Sequence, residues 1–198
     1  MLAPINNNPI AAPSGRKMQR EPISEDEYKR IKEAIPYSDV NARLYFEMLR
    51  NTGCRAAEIR RITPSHIGQN GPEVWIETYR GKTREKEPFY LRFWLNPVLG
   101  QQLVGYVRGQ GLKASDPIFP RTHQRFWQIW SEASMNGIGR HSRIHDIRGV
   151  YSTYLFDHGA QPAQVAAMLG HKDIKVTMSH YNQMNEEKRR TIGQNMPV

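Results

Sequence analysis

The stretch EVWIETYRGKTREKEPFYLRFW, residues 73–94, decides the fold class. Val74, Ile76 and Thr78 alternate with other residues, and Phe89, Leu91 and Phe93 alternate again. A period of two places each set on one face of a strand. Arg80-Gly81-Lys82-Thr83 between them has the composition of a turn, so the stretch is expected to form a β-hairpin or a small antiparallel sheet. Outward from it in both directions the period becomes helical.

Upstream, Ser24 and Glu27 make a capping box, and Tyr28, Ile31 and Ile35 follow at helical spacing. A second helix is expected from near Ser38, with Val40, Leu44, Met48 and Leu49 along one face. Gly53 interrupts it, and a short helix from Arg55 to about Ile62 stops before Pro64. Downstream, Pro97 opens a helix through Leu103 and Val107, and Phe126, Ile129 and Trp130 mark another. From His145 onward the chain reads as helical, punctuated by Gly159 and Gly170, with Pro162 in a first turn. The expected class is therefore mostly α with one small antiparallel β insertion (α+β). Residues 1–22 read as a flexible tail or linker: Pro4, Pro9, Pro13 and Pro22 and the run from Asn6 to Asn8 leave little to pack, and Lys17 and Arg20 make it basic. Residues 23–198 are expected to form one domain.

Twenty-eight Lys and Arg stand against 19 Asp and Glu, a formal charge of +9. That excess suits a polyanionic partner such as nucleic acid, and equally suits a basic surface kept for solubility. Cys54 is the only cysteine, so no internal disulfide can form and a reducing compartment fits. No apolar run approaches the roughly 18 residues of a membrane span, and the N-terminus lacks the pattern of a signal peptide. The expectation is a cytoplasmic protein acting away from membranes.

Four short segments carry candidate chemistry. Asn51 to Arg60 contains Arg55 and Glu58, which taken alone are an ordinary i, i+3 helix pair. His145 and Arg148 stand three apart, close enough on a helix to converge on one anion. Leu169-Gly170-His171 ends a helix, and Tyr181 lies ten residues beyond His171. Singly, each of these is a common surface or core feature.

In this order they resemble the tyrosine recombinase (phage integrase) family. Thr52-Gly53-x-Arg55-x-x-Glu58 is similar to that family's first arginine box, and His145-x-x-Arg148 to its second. Leu169-Gly170-His171 followed by Tyr181 resembles its third histidine and nucleophile, and Lys82 stands in the hairpin where the family has its catalytic lysine. Lys86 is the alternative hairpin lysine. The resemblance spans roughly residues 24–190. Gly149 follows Arg148 where many members have a second histidine, and the step from His171 to Tyr181 is ten residues where many have nine, which leaves His180 as a flanking residue. Members usually carry a core-binding domain upstream. Here only a short tail precedes the first helix, as in a fragment of a longer integrase or a minimal recombinase.

The resemblance implies a division of labour. Tyr181 attacks the phosphate. Arg55 and Arg148 fork onto its non-bridging oxygens, which a planar guanidinium does better than an ammonium. His171 adds a hydrogen bond there, His145 exchanges a proton with the tyrosine, and Lys82 protonates the leaving 5′-oxygen. Glu58 stands either as an orienter of the first box or as a plain helix partner of an arginine. The sequence has no carboxylate cluster of the kind that holds paired Mg²⁺ ions and only one cysteine, so neither metal nor cofactor is expected. The implied partners are double-stranded DNA, other copies of the chain in a tetramer on that DNA, and accessory DNA-bending proteins. A type IB topoisomerase-like enzyme and a catalytically silent DNA-binding module are the rival functions.

Overall fold

The computed structural model describes residues 22–80 and 89–170. Seven α-helices and a three-stranded antiparallel sheet lie in that range: α1 (Glu25–Glu33), α2 (Val40–Thr52), α3 (Ala56–Arg60), β1 (Ile67–Asn70), β2 (Glu73–Arg80), β3 (Phe89–Trp94), α4 (Pro97–Gly109), α5 (His123–Ile138), α6 (Asp146–Asp157) and α7 (Pro162–Leu169). This is the mostly α architecture with a small sheet that the sequence implies.

The helix signals act where they are written. Ser24 Oγ accepts from the Glu27 backbone N–H at 3.1 Å, and the Ser24 N–H donates to Glu27 Oε2 at 3.0 Å, which closes the capping box of α1. Asp39 caps α2 by accepting from the Ala42 N–H, so that helix begins just after the expected Ser38. Pro97 sits in the first turn of α4, where its missing N–H costs nothing. α7 ends in Gly170, whose left-handed φ of 64° a side chain would disfavour.

β2 is the middle strand of the sheet, in the order β1-β2-β3. In the β2–β3 ladder, Trp75 pairs with Trp94, Ile76 with Phe93 and Thr78 with Leu91. Val74, Ile76, Thr78 and Phe93 are buried against the helices, while Trp94 remains exposed, the alternation expected of a one-sided sheet. β1 and the short 3₁₀ helix Pro64–His66 before it are additions to the sequence reading. The expected turn from Gly81 lies outside the described residues.

The core gathers Tyr28 and Ile31 from α1, Tyr45, Phe46 and Met48 from α2, Phe126 and Trp130 from α5, and Ile147 and Val150 from α6. Paired charges tie the elements at their edges. Arg121 binds both oxygens of Asp39 at 2.6 and 2.7 Å, and Arg140 reaches Glu27 at 2.9 Å. None of the described helices is long and apolar enough to cross a membrane.

Candidate active site

Arg148 is the hub. It lies in the first turn of α6 and is 6% exposed. Its Nη1 donates to the carbonyl of Gly53 and its Nη2 to the carbonyl of Leu169. Those carbonyls close α2 and α7, so one guanidinium joins the ends of two helices to a third. A buried cation needs such acceptors, and helix C-termini supply partly negative ones.

Gly53 makes the junction possible. Its φ of 59° is left-handed, and a Cβ there would stand 2.2 Å from Tyr151 Cδ1 and 3.0 Å from Leu169 Cδ2. Tyr151 of α6, Val165 and Leu169 of α7 form a small buried cluster over it. The glycine therefore lets the first box lie flat against the second and third.

Arg55 follows two residues later as the N-cap of α3. Its backbone N–H donates to Glu58 Oε2 at 2.6 Å, and its Nη1 to Glu58 Oε1 at 2.9 Å. The Glu58 side chain is 6% exposed and that of Arg55 is 45% exposed. A buried carboxylate thus holds an exposed guanidinium by both backbone and side chain. Of the two roles open to Glu58 from sequence, this geometry fits the orienter, since a plain surface pair would leave the carboxylate in water.

His145 is the N-cap of α6, one residue outside the helix, and its carbonyl accepts from the Arg148 N–H at 3.1 Å. The two share a turn as the spacing implies, but His145 is exposed whereas Arg148 is buried. Partial desolvation first, then the charge of Arg148, holds the His145 pKa below its ordinary value, with Arg143 and Arg55 adding to this and Asp146 opposing it. Three guanidinium groups therefore reach one imidazole electrostatically. The loop before it is anchored: Trp130 Nε1 donates to Ser142 Oγ at 2.9 Å, and Arg143 binds Asp146 through its backbone N–H at 2.8 Å and its Nε at 3.0 Å.

Arg55, His145 and Arg148 are thus brought around one centre. Lys82, Lys86, His171 and Tyr181 lie outside the described residues. Gly170, which precedes His171, caps the helix whose last carbonyl Arg148 holds. The sequence reading missed the Arg143–Asp146 pair, although Arg143-x-x-Asp146 repeats the spacing of Arg55-x-x-Glu58. It also gave Tyr151 no role. Tyr151 is 5% exposed and packs over Gly53.

The chain is 27% identical over 191 residues to the tyrosine recombinase XerD of Shewanella oneidensis, covering 87% of this chain and 61% of that protein. It spans about half to three fifths of the length of the curated relatives it matches. The fold superposes on a crystal structure of XerA recombinase with a TM-score of 0.70 at 20% identity, over 94% of this chain and 68% of the other. It also superposes on the XerH site-specific recombinase bound to palindromic difH substrate in a post-cleavage complex, with a TM-score of 0.69 at 16% identity, over 87% and 52% of the two chains. The family model described as the phage integrase family matches residues 21–188, and the chain belongs to that family.

Proposed function

We propose that this chain performs site-specific DNA recombination, cleaving and rejoining DNA strands without a metal or cofactor through a 3′-phosphotyrosine intermediate, as in integration, excision or inversion. The observation that carries this is the guanidinium of Arg148 on the carbonyls of Gly53 and Leu169, with Arg55 two residues from one and His171 two residues from the other. An anion clamp built this way suits a pentavalent phosphate, whose charge grows on the non-bridging oxygens.

In this mechanism Tyr181 attacks the phosphorus and the 5′-oxygen leaves. Lys82 gives that oxygen its proton, and His145 exchanges the proton of the phenol. Desolvation first, and then its cationic neighbours, lower the pKa of the imidazole and favour its neutral form, which suits a proton acceptor. Arg55, Arg148 and His171 hold the non-bridging oxygens. The phosphotyrosine conserves the energy of the broken bond, so rejoining reverses the same steps without ATP. Residues 23–198 act as the catalytic domain behind a basic tail, on double-stranded DNA in the cytoplasm. Copies assemble as a tetramer on the DNA, aided by accessory DNA-bending proteins.

The test is covalent trapping on nicked suicide duplexes, read after denaturation. Wild type should leave protein on the DNA. Tyr181→Phe should retain binding in a gel and leave none attached. Attachment persisting in Tyr181→Phe removes Tyr181 from its role, and relaxation of supercoiled plasmid without strand exchange would favour a topoisomerase.

A further inference from the structure

Arg143 stands outside the residues assigned so far, yet its surroundings repeat those of Arg55. In the first box, Glu58 accepts both the backbone N–H and the guanidinium of the arginine three residues before it. Asp146 does the same for Arg143: its Oδ2 accepts the Arg143 backbone N–H at 2.8 Å, and its Oδ1 accepts Nε at 3.0 Å and Nη2 at 2.8 Å. The exposures match as well. The carboxylate side chains are 6% and 11% exposed, and their arginines 45% and 60%.

Holding the turn requires only the bond from the Arg143 N–H to Asp146. The two further bonds immobilise a solvent-facing guanidinium, and an ion pair whose cation stands in water adds little to stability. Its effect is to fix the direction of the fork. Nη1 has no partner among the described residues. The loop beneath is itself held, by Ser142 on Trp130 and Ser134 and by Arg140 on Glu27. Arg143 is two residues from His145, and its charge reaches that imidazole together with those of Arg148 and Arg55.

We propose that Arg143 is a further DNA-backbone ligand, clamping a phosphate next to the one held by Arg55 and Arg148. The inference rests on the reading of this chain as a DNA-cleaving enzyme. A neighbouring phosphate fits better than the reacting one, because Arg143 stands at the open rim while Arg148 is enclosed. A bidentate contact to phosphate is the task for which a pre-aimed guanidinium is suited and an ammonium is not.

The experiment is titration of a short fluorescent duplex of mixed sequence with wild type, Arg143→Gln, Arg143→Lys and the control Arg108→Gln, across a salt series. Arg108 is an exposed arginine of α4. Loss of one phosphate contact should lower the slope of log affinity against log salt by about one in Arg143→Gln. Affinity should fall about tenfold, the size of a charge-assisted contact. Arg143→Lys should keep most of the slope and lose part of the affinity, and Arg108→Gln should match wild type. A wild-type slope in Arg143→Gln, or a loss no larger than that of Arg108→Gln, overturns the assignment. If Arg143→Gln melts early, Arg143→Lys decides, and wild-type affinity in that variant overturns the forked contact. Wild type that fails to bind duplex at low salt sinks the DNA reading along with Arg143. Binding and trapping by wild type with no effect at Arg143 sinks only the latter.

Discussion

Around Trp130, aromatic rings from three helices close on one another: Phe46 lies 4.8 Å and Tyr28 6.0 Å from it between centroids, and Tyr45 stacks on Phe126 at 3.7 Å. Where α6 meets α7 the buried cluster is only Tyr151, Val165 and Leu169 among the described residues, and the guanidinium of Arg148 ties the ends of α2 and α7 together there. The first region is held by apolar area, which is nondirectional and tolerant of small shifts. The second is held by a few directional bonds whose donor is itself a candidate catalytic group. Structure and site are therefore separable in the first region and coupled in the second. A change at Phe46 should reach the site only by unfolding the chain, whereas a change at the corner, or at Trp130 through its bond to Ser142, should reach it directly.

The largest expected effect tests that separation. Phe46→Ala empties a fully buried site in the aromatic core and should lower the unfolding free energy by about 3–5 kcal/mol in urea denaturation. Leu169→Ala should cost about 2 kcal/mol, the low end for such truncations, since its cluster is small and lies beside a helix end. That loss should appear mainly as faster hydrogen exchange in α6 and α7, with a smaller movement of the urea midpoint. Equal midpoint shifts in the two variants would merge core and corner into one cooperative unit.

A smaller effect sharpens the corner itself. Gly53→Ala forces a left-handed φ on a residue with a Cβ, a cost of about 1–2 kcal/mol, and places that Cβ 2.2 Å from Tyr151 Cδ1. The ring must move, and the Gly53 carbonyl that Arg148 holds must move with it. Covalent trapping should fall further than stability does. Combining Gly53→Ala with Tyr151→Ala should cost less than the sum of the two, because the clash is then gone. Additive losses would show that Tyr151 and Gly53 are not coupled.

How much of this was legible in the sequence follows the same division. The Ser24–Glu27 box, Pro97, Gly170 and the alternation at Val74, Ile76 and Thr78 are local signals, and each acts through its own backbone neighbours. The short run Ile67-Gly68-Gln69-Asn70 carries almost no alternation, and its pairing with β2 is a tertiary matter, so β1 was not legible. At the site, spacing paired only His145 with Arg148, and the family resemblance brought Arg55 forward with them. It did not show that Arg148 is enclosed and Arg55 open, because burial depends on which helix ends arrive from elsewhere in the chain. Nor did it show that Arg143-x-x-Asp146 copies Arg55-x-x-Glu58, since i, i+3 pairs of this kind are common on any helical surface.

The smallest effect separates the two regions by pH. His145 at the start of α6 has a folded pKa below its ordinary value of 6.5, through desolvation and the neighbouring arginines. Above that value both folded and unfolded chains carry a neutral imidazole, and its contribution to stability is complete. As pH falls past it the unfolded chain takes the proton first, so stability declines until the folded pKa is also passed. The core edge titrates elsewhere. Burial pushes the Glu27 carboxyl up, but the Ser24 N–H and Arg140 more than offset this and hold it below 4.5. Its contribution is present above 4.5 and is lost as pH falls through the lower folded value. Acidification from neutrality should therefore loosen hydrogen exchange at the start of α6 before the tether between α1 and Arg140 weakens. His145→Gln should abolish the first step and leave the second. The acid limb of the wild-type cleavage rate should lie below pH 6.5, because the lowered pKa lets the imidazole accept a proton at more acidic pH than an ordinary histidine. An acid limb at 6.5 or above, or a first step that survives in His145→Gln, would place the titrating group outside the corner.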